Sequence, residues 1–267
     1  MIERVQRMLE LCADPRMTHM PPTELYNEGW LLRLALDWHE RHPDKGDELS
    51  VQPGTRWYSE ALLPTQFRAR RRPADDPTWQ RDGLAEKHTH ADGAVGHFTI
   101  GGTGDGDLVL DADATHFVVL EAKLKSGLSK GTRNVLGYDQ AARNVACMAH
   151  VLSVSGRHPS DVATLGFYVV APASQIATGM FSKQLTVTGI SQRVQDRVVA
   201  YKGPDRERHD EWFAEWFVPM LSRIRISTLS WEAVRDLMAD ADPAAGESFA
   251  RFYDDCLTFN RLMSAAD

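Results

Sequence analysis

Apolar and polar positions alternate along this chain in blocks that predict both strands and helices. Short apolar runs bounded by Gly, Asp or charged residues cover residues 95–100, 107–123 and 165–170, and such runs are typical of strands. The 107–123 stretch holds two runs separated by a turn around Asp111, so it predicts a β-hairpin. Residues 43–85 are rich in Pro, Gly and charge and are expected to be irregular.

Helical spacing of apolar residues predicts helices on both sides of these strands. The predicted helices cover roughly residues 2–12, 24–40 and 133–153, and Thr23 is the expected N-cap of the second one. The order helix, three strands, helix, strand predicts an α/β fold. In that fold a mixed central sheet is flanked by helices.

The domain organisation follows from the same pattern. After about residue 172 the apolar spacing becomes mostly helical, including an aromatic-rich stretch from residue 210. We expect a core with N-terminal helices over residues 1–172. Residues 173–267 are expected to form a mostly helical extension packed on the same domain.

The charged residues of the predicted hairpin are the strongest functional signal. Side chains of a strand alternate between faces, so Glu121 and Lys123 point the same way. The strand before them is apolar on both faces, which predicts a buried central strand, and Asp107 opens the preceding run. Charges in such a place are costly unless they are paired. A divalent metal and a phosphate would pair with them, which predicts a metal-dependent phosphodiesterase.

Two further polar features are expected near this site. Glu28 falls inside the apolar arc of the 24–40 helix, where a glutamate is rarely buried without a partner. Gln140 and Arg143 share one face of the following helix with Asn144. Such a polar stripe fits a helix edge that touches the metal site or its substrate.

These pieces, in this order, resemble the PD-(D/E)XK nuclease superfamily. The resemblance covers about residues 24–170 and is carried by three motifs: Gly106-Asp107 before an apolar strand, Glu121-Ala122-Lys123 at the end of the next strand, and Gln140-Ala-Ala-Arg143 on the helix that follows. Each motif alone is common, but the three in order are moderately specific. The resemblance implies a restriction-endonuclease-like core that hydrolyses phosphodiester bonds of nucleic acid, with DNA as the expected substrate.

The resemblance also implies roles for the residues. Asp107 and Glu121 would bind Mg²⁺ or Mn²⁺, which prefer oxygen ligands, and Glu28 would complete the metal site. Lys123 would lie near the attacking water, and Gln140 and Arg143 would orient the substrate or the site. The choice between Asp105 and Asp107 as the ligand stays open, because both have the parity to share a face with Glu121.

Histidines upstream of the hairpin offer a different chemistry. His88 and His90 would share one strand face, as histidine ligands of some zinc hydrolases do. That class requires a (β/α)₈ barrel, and the chain does not show eight βα units. These two histidines are otherwise expected to line the nuclease cleft. A third hypothesis is a protein that keeps the fold to bind nucleic acid or a partner but does not cleave, although the intact Glu121-x-Lys123 motif argues against it.

Composition limits the cellular setting rather than the function. The net charge of −7 excludes a generally basic coat but allows a local basic groove on an acidic body. The three cysteines are far apart, which argues against a disulfide framework and fits a cytoplasmic protein. No apolar run is long enough to span a membrane. The aromatic residues near position 212 favour a core face or a homodimer contact.

Overall fold

The computed structural model describes residues 2–11, 20–68, 83–101, 107–131, 135–201 and 206–264. The strands within these ranges are β1 Arg56–Leu63, β2 Thr89–Gly96, β3 Phe98–Ile100, β4 Leu108–Leu110, β5 His116–Ala122, β6 Thr164–Ala171 and β7 Arg225–Ser230. The α-helices are α1 Ile2–Leu11, α2 Glu28–Arg41, α3 Gln140–Val154, α4 Ala173–Ala177, α5 Val187–Ala200, α6 Arg206–Trp212, α7 Val218–Leu221, α8 Trp231–Ala241 and α9 Pro243–Ser264.

The centre of the fold is a five-stranded sheet in the order β1-β2-β5-β6-β7. Strands β1, β2 and β5 pair antiparallel, whereas β5, β6 and β7 pair parallel. The sheet is therefore mixed and flanked by helices, which confirms the predicted α/β class. A separate two-stranded sheet is formed by β3 and β4.

The predicted hairpin is wrong, because β4 and β5 do not pair with each other. Strand β4 pairs with β3, and β5 lies between β2 and β6. The chain leaves the central sheet after β2, forms the small β3–β4 sheet, and returns as β5. The strand that precedes β5 in sequence is thus not its neighbour in space.

Local signals also shift the predicted element boundaries. Helix α2 begins at Glu28, and its N-cap is Asn27, whose side chain accepts a hydrogen bond from Trp30 N at 3.0 Å. The predicted cap Thr23 lies in a short 3₁₀ turn instead. Helix α3 begins at Gln140 rather than near residue 133, because Asp139 caps it. Strand β1 lies in the stretch that the sequence indicated to be irregular.

Strand β5 separates two apolar cores, which confirms the prediction of a buried central strand. Every residue of β5 is buried. Phe117 and Val119 pack in the core beneath α3, whereas Val118 and Leu120 pack in the core beneath α2, α8 and α9. The two faces of one strand thus hold the two helical layers onto the sheet.

The C-terminal part of the chain shares this sheet. Strand β7 pairs with β6, so main-chain hydrogen bonds join the C-terminal part to the central sheet. The described residues after 172 are mostly helical, and β7 is a strand that the sequence pattern did not predict. In the part of the chain that the structure describes, the search for a membrane-crossing helix finds none with the required length and apolarity.

Candidate active site

The candidate site lies where β2 and β5 separate. The two strands pair from Gly96–Phe117 to Gly93–Leu120, and β2 then continues beside β1 alone. Ala122 lies on β5 just beyond the last residue that pairs with β2. Its main-chain N–H donates to Asp92 Oδ2 at 2.7 Å. The side chain of Asp92 therefore fills the gap between the strands and faces the end of β5.

Glu121 is the most enclosed charged group at this point, with 1% of its surface exposed. Lys123 Nζ donates to its Oε1 at 2.6 Å, and Asn144 Nδ2 donates to its Oε2 at 3.0 Å. Gln140 Nε2 also donates to Oε1. The carboxylate is thus held from both oxygens by a lysine and by two amides of α3, so its orientation is fixed.

Lys123 connects the two carboxylates. Its Nζ lies 2.6 Å from Glu121 Oε1 and 3.9 Å from Asp92 Oδ2, and the residue is 8% exposed. The predicted common face of Glu121 and Lys123 is confirmed by the direct contact between them. The structure thus gathers the buried Glu121 and Lys123 and the half-buried Asp92 in one cluster.

Burial and charge together shift the proton affinities of this cluster. Burial and, to a smaller extent, the negative charge of Asp92 raise the pKa of Glu121 to about 8, against the opposing effect of Lys123. Burial alone would lower the pKa of Lys123, but the charges of Glu121 and Asp92 outweigh this and raise it. The lysine therefore stays charged at neutral pH, while Glu121 without a metal tends to take up a proton.

Glu28 lies close enough to act on this cluster through its charge. It is the first residue of α2, and its carboxylate is among the groups that raise the pKa of Lys123. The role of Glu28 as a metal ligand stays a prediction. The start of a helix also favours a negative side chain, because the N–H groups of the first turn point toward it.

Asp107, the predicted metal ligand, lies elsewhere. It is buried and bridges Leu62 on the outer edge of β1, so β1 and β2 stand between it and β5. Three strand spacings correspond to roughly 14 Å. The expectation that Asp107 faces Glu121 depended on the hairpin and is wrong for the same reason. Asp105 lies outside the described residues.

The two polar residues predicted on α3 have different surroundings. Gln140 contacts Glu121, as the polar stripe suggested. The charge of Arg143 acts on Glu86 instead, where burial raises the carboxyl pKa while Arg197 and Arg143 lower it. Gln140 is thus part of the site, whereas Arg143 belongs to a neighbouring buried polar network.

The histidines predicted to line the cleft do not form a zinc site. His88 Nε2 lies 3.3 Å from Arg68 Nη1, and His90 is exposed opposite Leu62 on β1. Among the residues that the structure describes, no group of three or more His, Cys, Asp or Glu side chains is arranged to hold a metal. The zinc hydrolase hypothesis therefore gains no support from the described residues, and the same result means that they offer no ready-made three-ligand site for another metal.

The sequence pattern did not place Asp92 as a ligand beside Glu121, and it gave Asn144 only a minor place. Asp92 stands between small residues, in Ala91-Asp92-Gly93-Ala94, on a strand that was expected to begin only at residue 95. A carboxylate flanked by small residues in a strand is the signal that could have found it. Asn144 lies four residues after Gln140, on the same helix face, which is the spacing that lets both amides reach Glu121.

The donor set fits a hard divalent cation. Asp92 and Glu121 present carboxylate oxygens to one point, where they already hold the ammonium group of Lys123 between them. Mg²⁺ is commonly bound through one or two carboxylates, with water and substrate oxygens completing its shell. Asp92 and Glu121 are thus oxygen ligands of the kind that Mg²⁺ and Mn²⁺ prefer, whereas the cluster lacks the histidine and cysteine ligands that are common in zinc sites.

Comparison with known proteins identifies no relative of this chain. No protein-family model matches the chain, and neither a curated protein nor a solved structure is significantly similar to it.

Proposed function

We propose that this protein is a metal-dependent nuclease that hydrolyses phosphodiester bonds of nucleic acid, with DNA as the expected substrate. The observation that carries the proposal is the cluster of Asp92, Glu121 and Lys123 at the point where β2 and β5 separate. A buried carboxylate and a half-buried one beside a buried lysine are costly to maintain for stability alone. Such a cost is common at functional sites, where shifted pKa values serve the chemistry.

Each residue of the cluster has a role that suits phosphodiester hydrolysis. Asp92 and Glu121 would hold Mg²⁺ or Mn²⁺, with Glu28 close by. When bound, the metal would polarise the scissile phosphate and lower the pKa of a bound water. Lys123 would place its positive charge beside the phosphate and stabilise the negative charge that develops there.

The amides of α3 would keep this arrangement in place. Gln140 and Asn144 donate to the two oxygens of Glu121, so they fix the direction of the carboxylate before any substrate arrives. Partners that orient a metal ligand in this way commonly matter for metal affinity and activity. His88, which lies beside Arg68 on the β1–β2 side, is a candidate contact for the nucleic-acid backbone.

The order of elements supports a restriction-endonuclease-like core. Helix α2, the three antiparallel strands β1, β2 and β5, helix α3 and the parallel strand β6 follow one another. The acidic-x-Lys motif lies at the end of the third of these strands. With Asp92 in place of Asp107, this arrangement keeps the resemblance to the PD-(D/E)XK superfamily that the sequence indicated. The β3–β4 sheet is then an insertion between two neighbouring strands.

A cleavage assay tests the proposal. Purified protein is incubated with supercoiled plasmid, linear duplex, single-stranded DNA and RNA, in Mg²⁺, Mn²⁺ or EDTA. We expect cleavage of at least one substrate with either metal and none in EDTA. Binding of nucleic acid without cleavage in every metal would favour the non-catalytic hypothesis and contradict the proposal.

A further inference from the structure

The main chain of Lys123 is held by a residue from the C-terminal part of the protein. Lys123 follows the last residue of β5, and its N–H donates to Val170 O at 2.8 Å. Its carbonyl oxygen accepts a hydrogen bond from Trp231 Nε1 at 2.9 Å, and Trp231 is completely buried. Because both main-chain groups of Lys123 are fixed, the direction in which its side chain leaves the backbone is fixed as well.

The chain just before Glu28 is held by the other end of the same region. Asn260 Nδ2 donates to Tyr26 O at 2.9 Å, and Cys256 Sγ lies 3.9 Å from Asn27 O. The ring of Tyr26 also stacks on Phe259, with 4.8 Å between the ring centroids. Helix α9 thus contacts the two residues that directly precede Glu28, the first residue of α2.

Helices α8 and α9 pack closely against each other. A Cβ atom on Gly246 would lie 2.5 Å from Ala239 Cβ, so the glycine permits a close approach of the two helices. Tyr253 OH donates to Glu232 Oε1 at 3.0 Å across the same interface. One closely packed pair of helices therefore contacts both Lys123 and the residues before Glu28, which are far apart in sequence.

We infer that the α8–α9 pair is a positioning element of the candidate active site, in which Trp231 orients Lys123 and Asn260 orients the segment that carries Glu28. This inference rests on the proposed function. It assigns the C-terminal helices a part in the chemistry that the acidic-x-Lys motif alone does not predict. Lys123 and Glu28 are thereby set at a fixed separation, although neither lies in the C-terminal part.

Two substitutions separate positioning from packing. Trp231→Phe keeps an aromatic ring in the core but removes the N–H that binds Lys123. Asn260→Ala removes the amide that binds Tyr26. Arg251→Ala is the matched control, because Arg251 lies on α9 in an exposed ion pair with Glu247 and touches neither side of the site.

Each variant is assayed as the full chain, at temperatures where its melting curve shows folded protein. The measurements are kcat at saturating Mg²⁺ with the best DNA substrate, and the Kd for Mn²⁺ from calorimetry without substrate. We expect Trp231→Phe to lower kcat roughly 10- to 100-fold with an unchanged Kd for Mn²⁺. We expect Asn260→Ala to raise the Kd for Mn²⁺ roughly 10-fold, and Arg251→Ala to change neither quantity.

The outcome distinguishes this inference from the proposed function. If the wild-type protein cleaves DNA and both variants match Arg251→Ala, the positioning role is excluded while the nuclease proposal stands. If the wild-type protein cleaves nothing, the nuclease proposal fails. Positioning is then judged from the Kd for Mn²⁺ and from the rate at which acetic anhydride acetylates Lys123, followed by mass spectrometry. Faster acetylation in Trp231→Phe and weaker Mn²⁺ binding in Asn260→Ala support the inference, and no change in either quantity overturns it.

Discussion

Asp92 accepts a hydrogen bond from the main-chain nitrogen of Ala122 at 2.7 Å, which places its carboxylate in the main-chain hydrogen-bond network at the end of β5. A side chain thus replaces the partner strand at the position where β2 and β5 part. The consequence is that a second carboxylate faces Glu121 without any turn linking the two residues. Strand pairing brings the two residues together, because β3 and β4, which lie between β2 and β5 in sequence, form a separate sheet.

Asp92→Asn should abolish metal-dependent cleavage while keeping the fold. The amide oxygen can still accept the hydrogen bond from Ala122 N, but the negative charge that would hold the metal is lost. Losing one preorganised electrostatic group costs on the order of 100-fold in rate, so we expect at least about that loss in kcat. The measurement is the cleavage rate in Mg²⁺ together with a melting curve.

Asp107→Asn is the matched control for that prediction. Asp107 is also a buried aspartate next to a strand, but β1 and β2 separate it from Glu121. We expect its replacement to leave the rate per folded molecule unchanged. A large loss with Asp107→Asn and normal cleavage with Asp92→Asn would restore Asp107 as the metal ligand and contradict the site described above.

The sequence identified the strand and the lysine but not the aspartate, and the reason is physical. The burial of β5 is encoded locally, in apolar residues on both faces, and so is the shared face of Glu121 and Lys123. Between β2 and β5 the chain forms the separate β3–β4 sheet. No local sequence pattern shows that β5 returns to pair with β2. Neighbouring strands in sequence usually pair. That tendency favoured Asp107, whereas the actual neighbour is β2, which carries Asp92.

The sequence pattern also could not predict contacts between residues that are far apart in the chain. Strand β7 has no residue that is fully buried, so it lacks the apolar signal of β5 and β6. The hydrogen bond from Trp231 to Lys123 O joins residues 108 positions apart. The apolar spacing after residue 172 predicted mostly helices but could not show which main-chain group the first residue of α8 would bind.

Lys123→Met should abolish cleavage but leave metal binding in place. The methionine retains most of the side-chain volume and removes the charge, while Gln140 and Asn144 continue to hold Glu121. We expect a loss of kcat on the order of 100-fold, since charge stabilisation in the transition state is lost. The cleavage rate and the Kd for Mn²⁺ are the measurements. A variant that cleaves at the normal rate would exclude the assigned role of Lys123.

The stability of the metal-free protein should fall as the pH rises from about 5 to about 8. Burial raises the pKa of Glu121 to about 8 in the folded state, above the ordinary value of 4.5 that applies to the unfolded chain. Between these values the folded protein holds more protons than the unfolded chain, so raising the pH favours unfolding. The slope for one proton is at most about 1.4 kcal/mol per pH unit.

Glu121→Gln isolates this effect from other titrating groups. Glutamine cannot ionise, so the free energy of unfolding of this variant should lack the decrease that Glu121 causes. Chemical denaturation in EDTA at several pH values measures the difference between the two proteins. Parallel curves from pH 5 to 8 would show that Glu121 does not hold a proton in the folded state. In the wild-type protein, Mn²⁺ affinity should increase over the same range, because the metal displaces that proton.

Asn144→Ala should lower kcat, whereas Arg143→Ala should lower the melting temperature, although the two residues are adjacent on α3. Asn144 donates to Glu121 Oε2, so its loss frees one side of the carboxylate and should lower kcat roughly 10- to 100-fold. Arg143 acts on the Glu86 network, where burial has already raised the carboxyl pKa. Its loss should lower the melting temperature while the rate per folded molecule stays normal. The measurements are the melting temperature and the cleavage rate of each variant, with the rate corrected for the folded fraction. A selective loss of kcat in Arg143→Ala would instead place Arg143 at the substrate, as the Gln140-x-x-Arg143 pattern first suggested.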